Sequence, residues 1–143
     1  MTKTVLLTGA TGFVGRQVLN LLIKRGIQVR LIVREGSQNE LPQKRVNEKI
    51  ITTLDIFSEN ENWWYEACRG IDTVIHVAWY AKPGKYQQSE KNLTCVSGTI
   101  ELGKACVRAG VRRFVGVGTC FEYDLNQGTL TVDSPLNPLT PYA

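Results

Sequence analysis

Three glycines close to the start of the chain carry the clearest chemical signal in the sequence. Gly9, Gly12 and Gly15 stand three residues apart, after the apolar run Val5-Leu6-Leu7 and before a segment with helical periodicity. This pattern predicts a strand, a tight turn and a helix start, with one glycine forming the turn, one leaving its main chain open to a pyrophosphate and one packing helix on strand. The first amides of such a helix attract phosphate. The predicted phosphate-binding residues are Gly9, Thr11, Gly12, Phe13, Val14 and Gly15. A structural turn without a ligand is the alternative.

An arginine directly after the second predicted strand bears on which coenzyme such a loop would hold. In a fold of this kind an acidic residue there binds the ribose hydroxyls of NAD, whereas an arginine accompanies the 2′-phosphate of NADP. Val33 ends the predicted strand, and Arg34 and then Glu35 follow it. The sequence therefore favours NADP, with NAD as the alternative because of the glutamate. A solvated loop cation is the other interpretation of Arg34.

Two further polar residues follow predicted strands. Asp55 is either a helix cap or an acceptor for an adenine amino group, and Ser58 is a candidate cap of the next helix. His76 is the single histidine and lies near the end of an apolar strand. A general base is conceivable there, but a structural histidine with satisfied hydrogen bonds is favoured.

The elements that must position these residues alternate along the chain. Strands are predicted over 4–8, 28–33, 49–53, 72–78 and 112–117, and helices after the glycine loop, over 59–68 and over 89–109. The order β-α-β-β-α-β-α-β predicts an α/β fold, a Rossmann-type doubly wound parallel sheet of about five strands in the order 3-2-1-4-5. Small Ala78 would let a coenzyme approach the main chain. Five separate segments then converge at the carboxyl ends of the strands, where such folds bind ligands: the glycine loop, Arg34, Asp55, Ala78 and Thr119.

Helical periodicity also predicts which faces of two helices are apolar. For the first helix the face consists of Val14, Val18, Leu21 and Leu22. For the long helix the stripe consists of Leu93, Val96, Ile100, Gly103 and Val107.

Composition narrows the class of protein. The 143 residues, 43% of them hydrophobic, suffice for one domain with a real core. The net charge of +4 is spread out, so no nucleic-acid partner is expected, and no apolar run approaches the ~20 residues of a membrane span. The first strand begins directly after Lys3, which leaves no room for a signal peptide. Four scattered cysteines without a Cys-x-x-Cys pair predict reduced thiols, no metal site and a cytoplasmic protein.

Taken together, these motifs resemble those of the extended short-chain dehydrogenase/reductases, which include NAD(P)-dependent nucleotide-sugar epimerases, dehydratases and ketoreductases. The resemblance covers the whole chain. Its most specific marks are the segments 8–15 (TGATGFVG) and 138–143 (PLTPYA). Supporting marks are Asp55-Ile56, His76-Val77-Ala78, Gly98-Thr99 and Gly110-Val111-Arg112-Arg113-Phe114-Val115.

The resemblance implies roles for two residues in catalysis. Thr119 takes the place of the residue that hydrogen-bonds the substrate carbonyl or hydroxyl, and Tyr142 takes the place of the general acid/base. A free tyrosine, with a pKa near ~10, is a poor base at neutral pH. The family lowers that pKa with a lysine four residues later and with the cationic nicotinamide. Further coenzyme contacts are implied for Ile56, Val77, Ala78, Trp79 and Val117.

Position 146, where that lysine would stand, lies beyond Ala143. We therefore expect residues 1–143 to be a dinucleotide-binding domain, the N-terminal part of a longer protein, with the catalytic lysine and the substrate-binding part absent and the chain inactive by itself. A natural short protein that has lost catalysis is the alternative.

Departures from the family pattern narrow the chemistry. Cys95 stands where members often carry asparagine, which puts the role of that position in doubt. Dehydratases place acids directly after the threonine, but Cys120 and Phe121 stand there, and Glu122 is expected to point to the other side. With NADP favoured, the resemblance implies a 4-ketoreductase acting on a nucleotide-linked keto sugar. An NAD-dependent epimerase, a non-catalytic NAD(P)-binding regulator and a fragment that binds nothing are the alternatives. A homodimer through the long helices is possible.

Overall fold

The computed structural model describes residues 3–41 and 48–143. Within them the strands are β1 (Thr4–Thr8), β2 (Gln28–Arg34), β3 (Glu48–Thr53), β4 (Thr73–His76) and β5 (Arg113–Gly116). The helices are α1 (Phe13–Lys24), α2 (Glu61–Cys68) and α3 (Lys91–Ala109), with short 3-10 turns at Gln38–Glu40, Cys120–Glu122 and Leu125–Gln127. The predicted alternation of strands and helices is confirmed. The polar segment 37–47, whose composition and Pro42 predict a surface loop, lies outside the described residues from 42 to 47.

The five strands form one parallel sheet in the order β3-β2-β1-β4-β5, which confirms the predicted Rossmann-type topology. The first strand is central, and its last residue, Thr8, is in register with Ile32 of β2 and with His76 of β4. Because all strands run the same way, their carboxyl ends meet at one edge. The segments that follow β1, β2, β3, β4 and β5 are thereby brought together.

Helices cover both faces of the sheet, as the buried residues of β1 show. Leu7 belongs to a core cluster with Leu19 of α1 and Leu31 of β2, whereas its neighbour Leu6 packs with Trp64 of α2 and Leu102 of α3. Successive side chains of a strand point to opposite faces. An uninterrupted apolar strand is therefore required where both faces are buried.

The predicted apolar face of α1 is confirmed for Val18 and Leu22, which pack in the core, and wrong for Val14 and Leu21, whereas the predicted stripe of α3 is wrong. In α1 the buried residues are Gly15, Leu19 and Leu22, while Val14 and Leu21 are 46% and 47% exposed. In α3 the predicted stripe faces outward, with Leu93 65% and Val107 83% exposed. The side that packs inward carries smaller or polar residues: Asn92, Cys95, Gly98, Leu102, Ala105 and Cys106.

Close approach explains this choice of faces. A Cβ at Gly98 would lie 2.5 Å from the Cα of Phe57, so only a glycine allows the helix to lie against that main chain. The rotation of α3 about its axis is set by the close approach of its backbone to the neighbouring main chain. The large apolar residues on its opposite side do not change this orientation.

The ends of the helices follow local rules. Gly110 closes α3 in the left-handed conformation, with φ of 72°. The start of α2 differs from the prediction, because the side-chain Oδ1 of Asn60, and not Ser58, accepts a hydrogen bond from the Trp63 amide at 3.0 Å. Trp64 is fully packed in the core.

Candidate functional site

A cleft of about 710 Å³ opens at the carboxyl edge of the sheet. All residues that the sequence predicted for coenzyme binding or catalysis line it: Gly9, Thr11, Gly12, Phe13, Val14, Gly15, Arg34, Asp55, Ile56, Val77, Ala78, Trp79, Val117, Thr119 and Tyr142. Residues that sequence reasoning missed also line it, among them Ser37, Glu40 and Phe57. The chain therefore brings the candidates together, and their individual roles stay predictions.

The glycine loop forms the centre of this cleft. The Gly12 amide donates to the Gly9 carbonyl at 3.0 Å, which closes the turn, and the first helical bond of α1 runs from Arg16 to the carbonyl of Gly12 at 3.0 Å. The amides of residues 13–15 precede that bond, so they have no partner within the helix. The first turn carries no acidic residue that would repel a phosphate. A helix start of this kind suits an anion.

Two of the three glycines are required by contacts with neighbouring main chain. Gly9 has a φ of 74°, and a Cβ there would lie 2.7 Å from the Ala78 nitrogen. A Cβ at Gly15 would lie only 2.0 Å from the Gly9 carbonyl oxygen. At Gly12 the nearest atom, the same oxygen, would be 3.4 Å away. Gly12 is thus the glycine at which neighbouring protein atoms leave room on the cleft side.

The far end of the cleft, after β2 and β3, combines a cation with local turns. Arg34 ends β2 and is exposed, and the Ser37 amide closes the following turn by donating to the Arg34 carbonyl at 3.0 Å. Asp55 accepts from the Phe57 amide at 3.0 Å and from the Ser58 hydroxyl at 3.3 Å. It therefore caps a turn before α2 begins. A carboxylate has about four acceptor sites, so room remains for an adenine amino group.

Arg16 links the two ends of this region. Its guanidinium donates to the Thr11 carbonyl at 3.2 Å and to the Glu40 carbonyl at 3.1 Å. The glycine loop and the segment after β2 are thereby tied to each other. Sequence reasoning gave Arg16 no role, because both acceptors are main-chain carbonyls that no motif identifies.

The loop after β4 packs against Tyr142, the candidate acid/base. The Tyr142 ring packs edge-on against the ring of Tyr86, with centroids 4.6 Å apart, and its amide donates to the Gln87 carbonyl at 3.2 Å. That loop is held by Asn92, which is fully buried and donates to the carbonyls of Tyr86 and Ser89 at 2.7 and 2.8 Å. Its own oxygen accepts from the Trp79 indole at 2.8 Å. Asn92 was missed because the apolar stripe placed it on the wrong side of α3.

The hydroxyl proton of Thr119 is available for a hydrogen bond to a ligand in the cleft. Its Oγ accepts from the Phe121 amide at 3.2 Å, at the start of the 3-10 turn 120–122. This fixes the oxygen and leaves the hydroxyl proton available. Glu122 also lines the cleft, so the expectation that it points away is wrong. A 3-10 turn has a period of three residues, which returns position 122 to the side of position 119.

His76 has the surroundings of a structural histidine. It is 5% exposed, does not line the cleft and hydrogen-bonds Thr8 through Nδ1 and Thr99 through Nε2, at 2.8 and 3.1 Å. The rings of Phe57 and Phe114 lie about it at 6.1 and 6.2 Å between centroids. Burial lowers the pKa of His76 from 6.5 to about 4. This arrangement favours the structural interpretation over a general base.

The lowered pKa predicts an acid-labile contribution to stability. Below pH 6.5 His76 becomes protonated in the unfolded chain, whereas in the folded chain it stays neutral until about pH 4. Falling pH therefore favours unfolding. The loss amounts to about 3 kcal/mol of unfolding free energy between pH 7 and pH 4. Urea unfolding at pH 7, 5.5 and 4 of the wild type and of His76→Gln measures it. Carboxylates titrate in both proteins, so only the difference between them reports His76. Parallel pH curves would contradict the prediction.

Residues 3–41 and 48–143 contain no group of three or more His, Cys, Asp and Glu side chains that could hold a metal ion. In that part of the chain no helix has the length and apolar character needed to cross a membrane. The four cysteines are free thiols, with the sulfurs of Cys68 and Cys106 4.0 Å apart in the core.

Comparison with known proteins identifies related chains. Residues 5–143 match the family described as the NAD dependent epimerase/dehydratase family. The dTDP-6-deoxy-L-talose 4-dehydrogenase (NAD(+)) of Aggregatibacter actinomycetemcomitans is 25% identical, over 96% of this chain and 49% of that protein. The UDP-glucose 4-epimerase of Neisseria meningitidis serogroup A is 33% identical, over 98% of this chain and 44% of that protein. The chain thus spans about half the length of these relatives.

A solved structure agrees with both the fold and the sequence. MoeE5 in complex with UDP-glucose and NAD superposes with a TM-score of 0.77 at 32% identity. The match covers 97% of this chain and 44% of that one.

Proposed function

Because the chain belongs to the NAD-dependent epimerase/dehydratase family, we propose that its cleft binds a nicotinamide dinucleotide and serves an oxidoreductase that acts on a nucleotide-linked sugar. The observation that carries this proposal is the single cleft that joins an anion-binding helix start to Thr119 and Tyr142. Neither group alone would suffice, since glycine turns and exposed tyrosines are common. Together they bring a phosphate site and a proton donor to the same edge of the sheet.

The residues present fit a dinucleotide. The amides of residues 13–15 would hold the pyrophosphate, against a loop in which Gly12 presents no side chain to the cleft. Asp55 would accept from the adenine amino group. Val77 and Ala78 would lie beneath the coenzyme, and Val117 and Trp79 beside it.

The preferred coenzyme in this proposal is NADP, with NAD as the alternative. Arg34 lines the cleft where the adenosine ribose would lie, and a guanidinium there matches a 2′-phosphate. Ser37 lies in the same wall, whereas Glu35 is not among the residues that line the cleft. The NAD in the names of two relatives supports the alternative.

Replacing Arg34 with alanine is expected to weaken NADP binding by roughly 10- to 100-fold and to leave NAD binding almost unchanged. The reason is that a charge-assisted hydrogen bond contributes about 1.5–3 kcal/mol, and only NADP has the 2′-phosphate that would receive it. Fluorescence titration of both coenzymes measures the effect. Arg69→Ala, which removes an exposed arginine outside the cleft, is the matched control. Equal losses for the two coenzymes would remove Arg34 from this role.

The proposed reaction uses two side chains of this chain. A nicotinamide held in the cleft would supply or accept the hydride at the sugar carbon. Tyr142 gives a proton to the carbonyl oxygen in reduction, or takes it from the hydroxyl in oxidation. Thr119 donates its hydroxyl proton as a hydrogen bond to the same oxygen, which orients the substrate and stabilises the charge that develops there. Tyr86 and Gln87 hold the tyrosine in place.

A 4-ketoreductase is the form of this activity that we favour. Reduction requires a coenzyme that is supplied in the reduced form, and NADPH fits that requirement. Arg34 is the residue proposed to bind its 2′-phosphate. The 4-dehydrogenase among the relatives is named for the same type of hydride transfer, read in the opposite direction. An NAD-dependent epimerase is the second candidate, and the similarity to a UDP-glucose 4-epimerase supports it. Elimination of water is disfavoured because Cys120 and Phe121 follow Thr119.

A homodimer through α3 is part of the proposal. Its outward stripe leaves Leu93, Val96, Ile100 and Val107 between 44% and 83% exposed along a 19-residue helix. If two copies of the chain packed along this stripe, the apolar side chains of both copies would be buried. Sedimentation equilibrium of the protein tests it.

The activity is tested by coenzyme binding and turnover together. The chain is titrated with NADP, NADPH, NAD and NADH. NADPH oxidation with a nucleoside-diphosphate 4-keto-6-deoxyhexose is then followed in a longer protein that contains residues 1–143, because these residues are expected to be inactive by themselves. We expect tighter binding of the phosphorylated coenzymes and oxidation that requires the keto sugar. Binding without turnover would favour the regulator, turnover with NAD held through each cycle would favour the epimerase, and no binding at all would leave a scaffold.

A further inference from the structure

The Thr8 hydroxyl lies between the ends of β1 and β4 and has three partners. Its oxygen accepts from the amides of Val77 and Ala78, at 3.2 Å each, and it is 2.8 Å from Nδ1 of His76. A hydroxyl oxygen has two acceptor sites and one proton. The two amides occupy the acceptor sites, so the proton of Thr8 must be donated to His76. The Nδ1 atom therefore carries no proton.

The other side of the imidazole gives the same answer independently. The Thr99 oxygen is 2.7 Å from the Cys95 carbonyl, which can only accept, so Thr99 donates its proton there. The Nε2 atom of His76 lies 3.1 Å from that same oxygen. Thr99 must therefore accept from the imidazole, and Nε2 carries the proton. Both ring nitrogens are thus committed, and neither is free to act as a general base.

We propose that His76 is a positioning residue: a neutral, Nε2-protonated imidazole that turns the Thr8 hydroxyl so that its oxygen holds the Val77 and Ala78 amides beneath the glycine loop. Both held residues line the cleft. Gly9 follows Thr8 directly and packs on the same peptide, since a Cβ on Gly9 would be 2.7 Å from the Ala78 nitrogen. A shift of that peptide must therefore displace the phosphate-binding turn.

The effect on coenzyme affinity rests on the proposed function, whereas the protonation pattern does not. The network joins β1, β4 and α3, and every atom in it is buried or half-buried. Without the imidazole acceptor, the Thr8 proton would have no partner on that side. Its oxygen would then no longer be fixed toward the two amides.

Nitrogen-15 NMR of the protein tests the protonation pattern directly, because His76 is the only histidine. We expect one nitrogen of protonated type, assigned to Nε2, one of unprotonated type, assigned to Nδ1, and no change between pH 8 and pH 5.5. Protonation at Nδ1, a fast mixture of tautomers or titration near the ordinary value would overturn the proposal.

Paired variants test the positioning role. Thr8→Val keeps the side-chain shape but removes the hydroxyl, and it is expected to weaken coenzyme binding roughly tenfold or more, because two half-buried amides lose their acceptor. It should also free Nδ1, so that the imidazole changes tautomer or titrates at a higher pH. Thr8→Ser restores the hydroxyl and should restore both affinity and spectrum.

The outcomes separate the two proposals. If Thr8→Val binds coenzyme as tightly as the wild type, the positioning role is wrong while the proposed function stands. If the wild type binds no nicotinamide coenzyme, the proposed function fails, and the positioning role fails with it even where the NMR spectrum shows the expected tautomer. If Thr8→Val does not fold, the wild-type spectrum and the affinity of Thr8→Ser decide the matter.

Discussion

Gly15→Ala is expected to destabilise the protein by roughly 4 kcal/mol or more, within the exceptional range for single substitutions. The added methyl group would be centred 2.0 Å from the Gly9 carbonyl oxygen, a main-chain atom that cannot rotate away. Relief requires α1 to move off the glycine loop. Coenzyme binding should be lost in any fraction that stays folded, because the amides of the first turn move with the helix. Urea unfolding followed by circular dichroism, with NADP titration of the folded protein, measures both effects.

Gly103→Ala is the matched control for this substitution. Gly103 also lies within a helix, but a Cβ there would meet nothing within 4 Å. Alanine should therefore stabilise by about 0.5–1 kcal/mol through its better helix propensity. The same propensity gain applies at position 15, so the difference between the variants isolates the steric contact. If Gly15→Ala proved as stable as Gly103→Ala, the close packing of helix on loop would be disproved.

Tyr142→Phe is expected to lower turnover by about 10²- to 10⁴-fold while coenzyme affinity stays within about twofold, because proton transfer by a positioned acid/base contributes an effect of that size. The phenyl ring keeps the edge-on contact with Tyr86, so the loop should be undisturbed. Steady-state oxidation of NADPH with the keto sugar measures it, in a longer protein that contains residues 1–143.

Two other variants make the tyrosine result specific. Tyr65 lies on α2, outside the cleft, and its ring contacts Arg108. Tyr65→Phe removes only its hydroxyl and should keep full turnover. Thr119→Ser keeps the hydroxyl that would orient the substrate, whereas Thr119→Val loses it and should lose turnover too. Full activity in Tyr142→Phe would exclude the proposed mechanism, even if the coenzyme were bound as expected.

Features determined by local sequence could be read without coordinates. The strand, turn and helix around Gly9, Gly12 and Gly15 follow from apolar runs, glycine spacing and periodicity, which act between residues close in the chain. The topology followed from the alternation of elements, because crossover connections permit few arrangements. Once the strands are parallel, the residues after each carboxyl end must meet. For that reason Arg34, Asp55 and Thr119 could be assigned to one site.

Contacts between distant segments were decided only by the tertiary structure. Periodicity located an apolar stripe on α3 but could not show that Gly98 approaches Phe57, and that approach turns Asn92 inward and Val96 outward. Likewise, the 3-10 turn that returns Glu122 to the cleft has no sequence signature strong enough to predict. The protonation of His76 depends on Thr8 and Thr99, which lie 68 and 23 residues away. Near-neighbour preferences fix which elements form, whereas the closest approach of their backbones decides which side chains face one another.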